Sequence, residues 1–212
     1  YPLVDGQGNW GNIDGDNAAA INLVGEDVYI NNAGNLGTSG EQSNGKEAVG
    51  NRSHIVISGG VYTKNSDSLG IHIAGENSNV TNTDLVYTEG NESSAITSTG
   101  ANGTIINFNE VTTTGNESHG IWSTYRDVVI SNFGTISTDG VGSFGIVSEA
   151  GANRANLLNL GKILTTDDQA PQYRRISQEN SEFQCEITNE CDDVQGCDGM
   201  ALAERHAAGG VP

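Results

Sequence analysis

Four histidines, three cysteines and a short acidic run are the side chains here whose types and spacing could support chemistry. Cys185, Cys191 and Cys197 are spaced C-x5-C-x5-C. Zinc sites favour C-x2-C or C-x4-C pairs with a fourth ligand, a place that His206 could fill. The spacing fits zinc poorly, and three thiols leave at least one without a partner in a monomer. Asp5, Asp14 and Asp16 lie in a Gly-rich acidic stretch that would offer calcium its oxygen ligands. Their order is not that of an EF-hand loop, and no G-G-x-G-x-D nonapeptide is present. His54, His72 and His119 have no Ser/Asp or Cys/Asp pattern around them and fall at positions expected to face solvent. No catalytic residue, metal or cofactor is therefore expected, with calcium at Asp5, Asp14 and Asp16 as the alternative.

Whatever these side chains do, a repeat must position them. The segments 68–92, 93–117 and 118–142 align without gaps at a period of 25 residues. Ile71, Ile96, Ile121 and Ile146 share one track; Val80, Ile105 and Ile130 share a second. Val86, Val111 and Ile136 continue a third that begins at Leu36 and Val61, and Thr88, Thr113 and Thr138 a fourth that begins at Thr38 and Thr63. Upstream, Ile21 and Val49 extend the first track at spacings of 28 and 22; downstream, Leu157 and Ile163 follow after two extra residues. Each unit holds three short β-branched stretches bounded by Gly, Asn, Asp and Ser, which read as strands. Alternation then turns one set of side chains inward. Three strands per unit, repeated in register, predict an all-β parallel β-solenoid of about six coils, each strand about 4.8 Å from its counterpart. Aliphatic ladders fill its interior beside polar ones: Asn82, Asn107 and Asn132; the threonine track; Ser98, Ser123 and Ser148. An inward asparagine ladder is tolerable because each amide bonds the next along the stack.

Composition agrees. Gly is 29 of 212 residues, Pro 3, and aromatics 6%, so the core must be thin and built from small and β-branched residues. The net charge of −18 opposes binding to phosphate backbones and anionic headgroups. No apolar run is long enough for a membrane-spanning helix. The chain begins with Tyr and shows no signal peptide, so a fragment or processed form is expected.

The phrases GIHIAGENSNVTN, GTIINFNEVTTTG and VVISNFGTISTDGVGSFGIVSEAGA resemble passenger-domain repeats of bacterial autotransporters. Asn132, Gly134, Ile136, Thr138, Gly140, Ser143, Gly145 and Ile146 match that pattern over a likeness spanning about residues 12–168. The resemblance implies a right-handed parallel β-helix exported to the cell surface. The family's C-terminal membrane barrel is not in this sequence. Residues 1–20, YPLVDGQGNWGNIDGDNAAA, resemble the segment before the catalytic tyrosine in the A subunits of type II topoisomerases, DNA gyrase and topoisomerase IV. The likeness stops where that family needs M-R-Y-T: Asn22 stands for its Arg and Leu23 for its nucleophilic Tyr. Strand cleavage is not expected, nor DNA binding.

These readings combine into an expectation of three parts: a segment or cap at 1–20, parallel β-helix coils at 21–168, and an acidic, Cys-containing tail at 169–212 without a ladder to join. The expected function is that of a non-enzymatic structural or adhesive rod, monomeric, extracellular or on a bacterial cell surface, contacting a host or cell-surface protein or glycan without inserting into a membrane. One alternative is a cytoplasmic gyrase-related fragment or an acidic solenoid that interacts with gyrase. Another is a carbohydrate-active β-helix enzyme, against which Arg52, Lys64, Arg126 and Arg154 share no period and build no basic face.

Overall fold

A computed structural model describes residues 3–6, 11–149, 155–166, 173–175 and 185–187. Among these there is no helix, and every strand pairing is parallel. The strands stack into three sheets that form a parallel β-solenoid of about six turns. Sheet A begins with Leu3–Gly6 and Tyr29–Asn32 and runs through Asn79–Asn82, Thr104–Asn107 and Val129–Asn132 to Cys185–Ile187. Sheet B runs from Gly11–Ile13 through Val86–Glu89 and Glu110–Thr113 to Lys162–Thr165. Sheet C runs from Ile21–Val24 through Lys46–Val49, Ile71–Ala74, Ile96–Ser98, Ile121–Ser123 and Ile146–Ser148 to Tyr173–Arg175.

The period of the sequence is the register of the sheets. Ile71, Ile96, Ile121 and Ile146 pair in turn, as do Val86, Val111 and Ile136. Burial alternates along the strands, with Ile105 buried between half-buried Thr104 and Ile106. That is the period-2 pattern of a strand with one face on a core. The two-residue insertion predicted late in the chain is seen where Val129 pairs with Asn156.

The corners explain the wealth of Gly, Asn and Asp. One corner places Asp27, Arg52, Asn77, Asn102 and Asp127 at φ of 56–58°. That is the left-handed region, where Asn and Asp are the best tolerated side chains after Gly. At another corner coils touch backbone to backbone: a Cβ at Gly115 would lie 1.8 Å from the Gly90 carbonyl oxygen. No residue but glycine fits there.

The ladder also reaches into both ends. Leu3–Gly6 and Gly11–Ile13 pair with Tyr29–Asn32 and Leu36–Thr38, so the segment that resembles a topoisomerase supplies strands of the first coil. The tail expected to join no ladder contributes Tyr173–Arg175 to sheet C and Cys185–Ile187 to sheet A, at spacings of 27 and 28 residues.

Candidate functional site

The predicted ladders lie inside. Ile71, Ile96, Ile121, Val86, Val111 and Ile136 are fully buried, and Ile146 nearly so. Asn82 Nδ2 donates to Asn107 Oδ1 at 2.8 Å, Asn107 Nδ2 to Asn132 Oδ1 at 2.8 Å, and Asn132 Nδ2 to Asn159 Oδ1 at 2.7 Å. The row closes the corner between sheets A and B. Replacing Asn107 by Leu would leave a buried donor on Asn82 and a buried acceptor on Asn132 each without its Asn107 partner. At about 1–3 kcal/mol per unsatisfied group, a loss of roughly 2–4 kcal/mol is expected in urea unfolding. A variant as stable as the parent would show that the amide row contributes nothing.

Thr88, Thr113 and Thr138 are buried with a second purpose. Thr88 Oγ1 donates to the Ser93 carbonyl at 2.6 Å and Thr113 Oγ1 to that of Ser118 at 2.7 Å. Those serines form a further ladder, each N–H donating to the next Oγ: Ser93 to Ser118 and Ser118 to Ser143, both 3.0 Å. Their spacing of 25 was the signal that could have revealed this row in the sequence. These rows are regular and satisfied, and they explain stability.

One interior position breaks the regularity. The first track runs Ile21, Lys46, Ile71, because sheet C pairs Ile21 with Lys46 and Lys46 with Ile71. Val49, expected on this track, pairs instead with Val24 and Ala74 at the end of the strands. Hydrophobicity suggested Val49; strict counting by 25 would have found the lysine. Lys46 is fully buried, and its Nζ has no hydrogen-bond partner. Burial pulls its pKa down from 10.5 to about 8, with the Asp84 carboxylate opposing the shift. The same coil interrupts the asparagine row, with Ile57 between Asn32 and Asn82.

Buried side-chain polar atoms without a partner are, among the described residues, Lys46 Nζ, Thr97 Oγ1, Trp122 Nε1 and Ser148 Oγ. All four belong to sheet C. Its outer column reads Glu47, His72, Thr97, Trp122, Val147 in register. His72 Nδ1 lies 3.0 Å from Glu47 Oε1, and its Nε2 lies 3.2 Å from Thr99 Oγ1. His119 rests against Trp122 and Phe144, with centroids 5.8 and 5.4 Å away. His54 packs on Tyr29 at 5.5 Å, and burial lowers its pKa. The three histidines thus face outward as half-buried side chains.

The outer surface also carries aromatic rows. Tyr62 and Tyr87 lie 6.3 Å apart on sheet B. Phe108 and Phe133 stack at 5.2 Å with only 13° between their planes, 53% and 41% exposed. Leu160, 45% exposed, follows the asparagine row just as they do. Asp14 and Asp16 are exposed and used between coils: Asp14 Oδ1 accepts from Ser39 Oγ, and Asp16 Oδ1 from the Glu41 N–H. Asp5 belongs to the strand Leu3–Gly6. Arg52 spans Glu26 and Asp27 at 2.8 and 2.7 Å, an exposed cluster of small energetic weight. Cys185 starts a strand of sheet A, whereas Cys191, Cys197, His206 and Arg154 lie outside the described residues. Comparison of the chain with family models, curated proteins and solved structures finds no match.

Proposed function

We propose that this chain is a structural, adhesive β-solenoid displayed at a bacterial cell surface, where its outer rows contact a host or cell-surface protein or glycan. The observation that supports this reading is the exposed row Phe108, Phe133 and Leu160, aligned on successive coils of an acidic chain. Ser58 and Thr83, their counterparts in earlier coils, show that this position of the coil does not require an aromatic side chain. Contiguous exposed apolar side chains mark contact surfaces. The strand ladder beneath them fixes their spacing, so binding would cost little ordering.

The test is a binding assay of the full chain on immobilised glycans, extracellular-matrix proteins and whole bacterial cells. The parent is expected to bind in at least one format. The double variant Phe108→Ser, Phe133→Ser is expected to lose at least about tenfold in affinity with an unchanged strand spectrum. Absence of binding in all three formats, or undiminished binding by the double variant, would overturn the reading.

A further inference from the structure

The geometry points to an acyl-transfer site on the outer face of sheet C, with Thr99 as nucleophile, His72 as general base and Glu47 as the residue that positions the imidazole. Three successive coils supply the three residues, which is why no local motif announces them. Glu47 Oε1 accepts from His72 Nδ1 at 3.0 Å. A carboxylate there keeps the proton on Nδ1 and leaves the Nε2 lone pair free to accept. Thr99 Oγ1, 3.2 Å from Nε2, is the hydroxyl it faces. The His72 and Glu47 side chains are 19% and 18% exposed, while Thr99 is open to solvent. The relay is half-shielded and its nucleophile accessible.

The substrate class is an uncharged O-acyl ester, since a protein of net charge −18 disfavours anionic ones. The Thr99 Oγ bond to the acyl carbon forms as the ester C–O bond breaks. The Thr99 proton passes to His72 Nε2 and then to the departing alkoxide. Water next attacks the acyl-threonine and gives its proton to His72, which returns it to Thr99 Oγ as the carboxylic acid leaves.

The experiment treats the full chain with p-nitrophenyl acetate, quenches it, and locates acetyl groups by peptide mass spectrometry. An acetyl group on Thr99 is expected. His72→Gln should slow its formation about a hundredfold or more. Thr99→Ser should keep the adduct at the same position, and Thr99→Ala should lose it. Glu47→Gln should slow acetylation and change its pH profile. Absence of an adduct on Thr99 in the parent, or equal acetylation rates in the parent and a folded His72→Gln, would overturn the proposal. The parent's adduct position is decisive even if a variant misfolds.

Discussion

Ile121→Asp is expected to abolish cooperative folding of the central coils, and Ile121→Ala to destabilise them by about 2–5 kcal/mol. Ile121 is fully buried and lies between Ile96 and Ile146 in one uninterrupted ladder. Truncation to alanine removes the contacts along the stack and leaves a cavity that neighbouring backbones, locked by ladder hydrogen bonds, cannot collapse to fill. A carboxylate in the same place can neither be hydrated nor find a cation, because the groups around it are aliphatic. Thermal unfolding monitored by strand absorption in the far ultraviolet checks both variants. An Ile121→Asp protein that melts with the parent would show that this track does not face the core. Solenoid coils depend on their neighbours, so the aspartate should also lower protection against hydrogen exchange in the coils on either side.

Lys46→Ile is expected to act in the opposite direction, raising stability by about 3 kcal/mol at neutral pH. The lysine occupies a position that isoleucine fills in the coils before and after it. Its ammonium is buried without a hydrogen bond. The sign of the pH dependence follows from the shift. The folded pKa of about 8 lies below the unfolded value of 10.5, so between those limits the unfolded chain holds more protons. Stability linked to this group is lowest below pH 8, rises with pH through the window, and is fully regained above 10.5. The difference in unfolding free energy between Lys46→Ile and the parent should therefore be constant below pH 8 and shrink by about 3 kcal/mol as pH rises to 10.5. Urea titrations of both proteins at pH 6, 8, 9 and 10 measure it. A parent that equals or exceeds the variant at pH 7 would mean that the ammonium is solvated in the folded protein. Replacement of a poorly compensated buried charge by a well-packed apolar side chain is commonly stabilising by a few kcal/mol, which agrees in size.

The architecture was legible in the amino-acid sequence because a solenoid repeats its environment. Each coil presents the same slot to the same track, so Ile71, Ile96, Ile121 and Ile146, or Asn82, Asn107 and Asn132, recur at a spacing equal to one turn. Alternation within each strand decided which side chains face inward, and both features need only local steric rules and the cost of burying polar groups. Lys46 was not legible in that way. Ranking residues by hydrophobicity placed Val49 on the track, whereas register is set by backbone hydrogen bonds that take no account of side-chain type, and these put the lysine inside. The end strands Tyr173–Arg175 and Cys185–Ile187 were hidden for a related reason: spacings of 27 and 28 residues break the period while the ladder continues. The meeting of Glu47, His72 and Thr99 depended on more than register. It required side-chain torsions that brought three coils' polar atoms within hydrogen-bond reach. Such contacts are made across the stack, between residues far apart in the chain, so only the folded structure could decide them.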